Sequence, residues 1–250
     1  GVQTCALPIF FSPGMVKTTL LAIAFSAIPL IGTWAAVSGW TPLWVEQLTQ
    51  AELVARALPE SKMSEVPKSQ LKEKLQEARG QLPQAKWSEI DSVAARAKAN
   101  LQIILSIGAI LGCFIAPVLG GRWGRRPVYF GLCLLSFVSC WWLFRYLDLK
   151  DGWLFWGMVG FAGCVTAAFY GWLPLYLPEI FPTRMRATGQ GLSFNFGRIL
   201  AAVAALQMGE FVRLLGGDYA AAGSRIALIY VVGLVLIWFA PETKGKPLPD

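Results

Sequence analysis

The chain contains no histidine, and only 15% of its 250 residues are charged. The first absence removes Ser-His-Asp and Cys-His catalysis, HExxH zinc sites and haem ligation by histidine together. The second is as restrictive, because soluble domains carry about a quarter of their residues as Asp, Glu, Lys or Arg. No GxxxxGK[ST] phosphate loop occurs, so ATP is not hydrolysed by that device. Cysteine is sparse, five in all. Cys113, Cys133, Cys140 and Cys164 fall inside apolar segments, without the paired spacings of a disulfide framework or a zinc site. They read as small hydrophobes in helix packing. Nothing in the chain implies a metal or another cofactor, and no catalytic constellation is present.

What the chain has in excess is apolar surface, at 55% of residues. Its charges are segregated: positions 46–98 hold nine Lys/Arg and eight Asp/Glu, leaving thirteen and seven for the rest. A chain this apolar outside one polar block needs lipid as its solvent. The net charge of +7 does not imply nucleic acid, because the basic residues sit in short links between apolar runs rather than along one solvated helix. Six runs are long enough to span about 30 Å of hydrocarbon at about 1.5 Å per residue. They lie near 18–45, 100–120, 128–147, 153–177, 188–212 and 224–240, which predicts an all-α protein with six transmembrane helices.

Two segments stand outside this pattern. The opening GVQTCALPIF resembles a translated sequencing-adapter scar, so residues 1–14 are expected to be a non-native leader on a chain truncated upstream. In the polar block, Pro59, Pro67 and Pro83 separate stretches rich in Ala, Leu, Glu, Lys and Gln, the good helix formers. Leu71, Leu75, Ala78 and Leu82 recur at a helical period. The block reads as a solvated helical insertion between the first span (15–45) and the remaining five (99–240).

With the block set aside, Lys17, Arg122, Arg125, Arg126, Arg184, Arg186, Lys244 and Lys246 fall on one side of the predicted membrane. Arg145, Lys150, Arg213 and Arg225 fall on the other, diluted by Asp148, Asp151 and Asp218. The positive-inside rule puts the first side, with the tail 241–250, in the cytoplasm and the insertion outside it. Trp40, Trp44, Trp141, Trp142, Tyr146, Trp153 and Trp156 cluster at the opposite ends, where interfacial aromatics are expected.

An internal repeat runs through these spans. Residues 35–44 read AAVSGWTPLW and residues 167–176 read AAFYGWLPLY, identical at six of ten positions. The copies end the first and fourth spans, three helices apart, and so cross the membrane in opposite directions. Inverted three-plus-three repeats are a hallmark of secondary transporters. A fainter echo, GAIL at 108–111 and GRIL at 197–200, sits in the second and fifth spans.

Three links on the cytoplasmic side carry a pattern: GGRWGRRP (120–127), LPEIFPTRMRATGQG (177–191) and PETKGKPLPD (241–250). Together these resemble the C-terminal half of a major facilitator superfamily transporter, in its sugar-porter and organic-ion branch, over roughly residues 15–250. The resemblance implies half of a twelve-helix bundle with inverted 3+3 symmetry, a missing N-terminal six-helix half, a small-molecule solute, and a multi-pass location in the plasma membrane, or the inner membrane of a Gram-negative cell. Pro117 and Gly121 stand where the superfamily's basic loop has Gly and Asp. The seventh-span glutamine pair of sugar porters is replaced by AIPLIGTWAAVSGW, which argues against a monosaccharide.

Helices that rock need latches at their ends, and partly buried arginine–carboxylate pairs suit this because a planar guanidinium engages two oxygens and exchanges partners. Glu179 and Glu242 are the candidate carboxylates of a cytoplasmic gate, with Arg125, Arg126 and Arg186 as its bases. Inside the membrane, Arg198, Asn195, Gln190 and Gln102 are the candidate solute ligands. Arg198 lies about eleven residues into its span, where an unpaired cation costs at least several kcal/mol, and no acid in these spans lies at its depth. The function expected is secondary active or facilitative transport of a small organic solute, an organic anion first, by alternating access. The alternatives are a sugar or drug carrier of the same superfamily, or a membrane subunit of a channel or an ATP-driven pump.

Overall fold

The computed structural model describes residues 10–61, 63 and 66–249, and the leader through residue 9 lies outside them. Each apolar run is helical, but the helices do not stop where the runs stop. The spanning helices are α1 (Val16–Ala57), α3 (Gln84–Trp123), α4 (Arg125–Tyr146), α5 (Trp153–Ile180), the bent pair α6 (Thr183–Leu206) and α7 (Met208–Leu214), and α8 (Tyr219–Phe239). A short helix, α2 (Leu71–Arg79), stands between the first two. The fifth span bends by 43° between α6 and α7. No strand occurs among the described residues.

At 42 and 40 residues, α1 and α3 are each about 60 Å long, twice the hydrocarbon thickness. Their excess lies at the same end of the bundle. The polar block therefore begins as a continuation of α1 and finishes as the start of α3, because its helix-forming composition gives neither helix a reason to stop before Pro59 and Pro83. The extensions are joined by Lys98 Nζ to Glu46 (2.7 Å) and Gln50 Nε2 to Asp91 (3.0 Å), while Arg79 bridges from α2 to Asp91 (2.8 Å). Leu71, Leu75 and Ala78 of α2 are buried and Leu82 is half-buried, as their spacing requires. Trp40 and Trp44 lie in the core at 1% exposure rather than at an interface. Each has found aromatic partners there: Phe211 stacks on Trp40, and Phe144 and Phe155 flank Trp44.

Packing follows the repeat. The two most extensive interfaces pair α3 with α5 and α1 with α6, and α4 packs on α8. A twofold relating α1-α3-α4 to α5-α6-α8 exchanges the first two interfaces and maps the third onto itself. The faint echo supplies the contact points. A Cβ on Gly108 would overlap the Gly160 carbonyl of α5, and one on Gly112 the Cys164 carbonyl. A Cβ on Gly197 of α6 would meet Ser26 and Ala27 of α1 at 2.8–2.9 Å. Gly108 and Gly112 form a GxxxG pair, which lets backbones approach where lipid offers helices no hydrophobic reason to associate.

The two AA…GW copies also share an irregularity. Gly32–Trp40 is π-helical, and α5 loses its α-helical register around Ala168. Thr33 Oγ1 donates to the Thr166 carbonyl across the gap (2.8 Å), tying the two irregular turns together.

Gly112→Val forces α3 away from α5 and is expected to destabilise the bundle by about 1–3 kcal/mol. Gly131→Val, where no atom lies within 4 Å of the new Cβ, should leave it unchanged. Thermal melting followed by size-exclusion chromatography in detergent separates them, and equal melting of both variants would refute the close-contact role.

Candidate functional site

At the end of the bundle away from the polar block, four segments converge: the last turn of α3, the first turn of α4, the end of α5 and the tail after α8. Gly124 makes the corner between α3 and α4. Its φ of +103° suits glycine alone, and a Cβ there would stand 3.1 Å from Glu242 Oε2. The corner aims Arg125 along the bundle end. Its Nε and Nη2 donate to the two oxygens of Glu179 at 2.9 and 2.6 Å, a bidentate pair, and its Nη1 donates to the Gly120 carbonyl at 2.6 Å. Both side chains are mostly buried, 11% and 17% exposed. Thr243 Oγ1 adds a third hydrogen bond to Glu179 (2.6 Å).

Glu242 makes no ion pair among the described residues. It caps α4 from outside the helix, accepting from the backbone N–H groups of Arg125 and Arg126 at 2.9 Å each, and from those of Thr243 and Lys244 at 3.1 Å. The first helical N–H groups have no partner within their own helix, and the positive end of the helix dipole favours an anion there. Partial burial pushes the Glu242 carboxyl up, but the four backbone donors outweigh it and hold the group below its ordinary value.

Of the other expected gate residues, Arg126 donates through Nε to the Ala240 carbonyl. Arg186 donates to the Pro178 carbonyl (2.8 Å) and to Thr183 Oγ1 (3.1 Å). These two arginines therefore bind backbone and hydroxyl oxygens, not carboxylates. Trp172 Nε1 donates to the Arg125 carbonyl (3.1 Å) and Tyr176 Oη to the Pro241 carbonyl (2.8 Å). Sequence reasoning passed over Thr243, Trp172 and Tyr176. The last two were visible in the GW-x-PL-aromatic repeat, but not what they would bind.

The interior candidates are arranged differently. Asn195 and Arg198 lie on one exposed face of α6, three residues apart. Asn195 Nδ2 donates to the Gly191 carbonyl (2.8 Å), and the Arg198 guanidinium sits 5.2 Å from the Phe194 ring centroid. No carboxylate pairs with Arg198 among the described residues. The hydroxyl of Tyr170 is buried, with Thr33, Trp34, Cys113 and Arg198 around it. Gln102 is exposed on α3, with its carbonyl accepting from Ser106 Oγ (2.7 Å), and Gln190 is half-buried. No hydrogen bond joins either glutamine to Arg198 among the described residues. Glu210 and Arg213 make an exposed ion pair on α7, and no group of side chains suited to a metal occurs among the described residues.

Residues 90–250 match the family described as Sugar (and other) transporter. The chain is 30% identical over 142 residues to a putative metabolite transport protein of Haemophilus influenzae, covering 56% of this chain and 34% of that protein. It is 29% identical over 156 residues to a probable 4-methylmuconolactone transporter of Cupriavidus pinatubonensis, covering 61% and 35%. It is 31% identical over 154 residues to solute carrier family 22 member 6 of Danio rerio, covering 60% and 26%. The chain thus spans about a third or less of the length of these relatives.

Because the folded pKa of Glu242 is depressed, its cap is fully present above the ordinary glutamate value near 4.3 and is lost only as pH falls through the lower folded value. Protease cleavage of the tail should therefore stay slow at neutral pH, read at Lys244, and rise only as pH falls below the ordinary glutamate value, read with an acid-active protease. Glu242→Ala should release the tail already at pH 7, with a loss of about 1 kcal/mol as for other helix caps. Equal cleavage of the two proteins at pH 7 would count against the cap.

Proposed function

The chain belongs to the Sugar (and other) transporter family, and we propose that it forms one six-helix half of a carrier that moves a small organic solute, preferentially an organic anion, by alternating access. The knot at the end of α3, α4 and α5 is placed in the cytoplasm in this reading, following the excess of basic residues at that end. An upstream half completes the cavity. Support for a partner comes from α6, where Asn195 and Arg198 are exposed and would face lipid in an isolated half at a cost of several kcal/mol.

The observation that carries the cycle is the bidentate Arg125–Glu179 pair, backed by Thr243 and locked by the Glu242 cap. It ties the α3–α4 corner to the end of α5 through a few charge-assisted hydrogen bonds at the tip of helices that also pack along their length. Such bonds are strong enough to hold one state and are replaced by water in the other. The preference for an anion rests on Arg198, a guanidinium on the exposed face of α6 with no carboxylate partner among the described residues. A solute carboxylate satisfies that charge and engages the planar fork through two oxygens.

Glu179→Gln removes the charge from the pair and should favour the inward-open state. A coupling of about 1–3 kcal/mol shifts the population about 5- to 150-fold. In the complete carrier, thiol labelling from the cytoplasmic side near the knot should rise by a comparable factor, and unchanged labelling would return Arg125 and Glu179 to a purely orienting role. For the solute, Arg198→Lys keeps the charge without the fork, so anion uptake should persist with a raised half-saturation, while Arg198→Ala should abolish it. Uptake of a neutral solute that survives in both variants would move the assignment to an uncharged substrate.

A further inference from the structure

At the end opposite the knot, the polar block lies over the links between spans. Lys68 reaches Asp148 at 3.9 Å. Ser69 and Lys72 lie against Gly216 and Gly217, whose φ values of +69° and +83° fold the link between α7 and α8 tightly beneath α2. Between α2 and the bent end of the fifth span a cleft of about 570 Å³ remains, within the usual range for small-molecule sites. A second cleft of about 250 Å³ continues from it along α2, with Leu43, Lys72, Gln76 and Tyr219 in both walls.

Two features connect this cleft with the interior. Ala205 of α6 lines it, and Ala205 stands seven residues after Arg198, hence on the same helix face about 10 Å further along. The cleft also reaches Trp40, the last residue of the π-helical segment that carries Thr33 and Trp34. It therefore lies directly outside the face that presents Arg198.

The chemistry of its walls is selective. Trp40, Leu43, Met208 and Tyr219 supply apolar and aromatic surface. Three charged residues line it: Arg213, Lys72 and Glu73. Arg213 is neutralised by a bidentate pair with Glu210 at 2.8 and 2.5 Å. Glu73 has no ion pair among the described residues, since the adjacent Lys74 pairs with Glu77 at 2.6 Å. Lys72 has no hydrogen-bonding or ionic partner among the described residues, and its stem is held 3.7–3.8 Å from where a Cβ on Gly217 would stand. An ammonium with no direct carboxylate partner among the described residues, over an aromatic and aliphatic floor, fits a carboxylate carried on a compact apolar body.

We infer that this cleft is an outer vestibule, where Lys72 binds the carboxylate of the solute before it passes along α6 to Arg198. The inference deepens the anion-carrier reading and rests on it for the identity of the solute. The vestibule adds a site to the path of the solute, built from the polar block and the bend between α6 and α7. Its contribution is kinetic: a cation at the mouth raises the local concentration of an anion, and salt screens the effect.

The test uses the complete carrier in proteoliposomes with Ser69→Cys as a reporter in the cleft wall and benzoate as the probe. Modification at position 69 is read by mass spectrometry of the peptide that carries it. With Lys72 present, an externally added anionic methanethiosulfonate should react faster than a cationic one by about threefold or more at low salt, and Lys72→Glu should reverse the order. Benzoate should slow modification in the parent and equally in Arg198→Ala, but not in Lys72→Gln. Absence of protection in the parent overturns the vestibule. So does protection that survives Lys72→Gln, or protection that disappears with Arg198→Ala, since the last would report a change transmitted from the deeper site. Protection with no benzoate uptake by any variant would support the vestibule while removing the transport reading, so the two fail separately.

Discussion

Hydrocarbon offers a peptide group no hydrogen-bond partner, and it gives two helices no hydrophobic reason to touch. Every spanning segment must satisfy its own backbone, and what joins the segments must be close packing or hydrogen bonds. Some interior hydroxyls turn back on their own helices, as Ser26 does on Ala22 and Thr166 on Ala162, while Thr33 crosses to the Thr166 carbonyl. Close packing is supplied by glycine. Gly108 and Gly112 let α3 lie against the backbone of α5, and Gly197 lets α6 lie against α1. These contacts lie in the two most extensive interfaces, α3 with α5 and α6 with α1, which the repeat sets in correspondence.

Charge is thereby confined to the ends, and the two ends use it differently. At the knot, two carboxylates, one guanidinium and the first N–H groups of α4 are matched within a partly buried cluster. Removing one member leaves another desolvated without a partner, which makes the cluster cooperative and sensitive to single substitutions. At the other end the ion pairs Arg56–Glu52, Lys74–Glu77 and Lys86–Glu89 are exposed and local to one helix. Pairs of that kind contribute little each. Stability there comes from the buried Leu71, Leu75, Trp87 and Ile90 beneath them.

The six spans were legible because hydropathy is a property of residues one by one, and a run of twenty apolar residues has few other fates. Their limits were not. The good helix formers that follow Val45 and precede Leu101 extend α1 and α3 far beyond the apolar runs, and only proline ends them. Trp40 and Trp44 look like interfacial anchors in sequence, yet they are buried, with Phe211 of α7 against the first and Phe144 of α4 and Phe155 of α5 against the second. Glu179 and Arg125 could be nominated from the rarity of an acid at the basic end. That Glu242 would cap a helix, and that Arg126 and Arg186 would bind carbonyls, depends on where the tail returns and how α5 ends, which no local pattern encodes. The leader scar expected at the start falls outside the described residues, apart from Phe10, which packs edge-on against Phe181.

The repeat carries a consequence for the proposed cycle that neither copy carries alone. Each copy contains one irregular turn, at Gly32–Trp40 in α1 and around Ala168 in α5, and Thr33 joins the two near the middle of the bundle. Beyond its irregular turn α5 runs through Trp172 and Tyr176 to Glu179, so it ends in the knot. Beyond its own, α1 runs through Trp40 and Trp44 to Glu46, so it ends in the helical block on the opposite side. Inversion has thus given each end of the molecule one helix with a weakened turn at the centre and an anchored tip. A carrier that opens alternately needs two gates that move in opposition about a shared middle. In the proposed cycle, two copies of one irregular helix, crossing in opposite directions and joined by Thr33, would provide that opposition without a separate mechanism for each side.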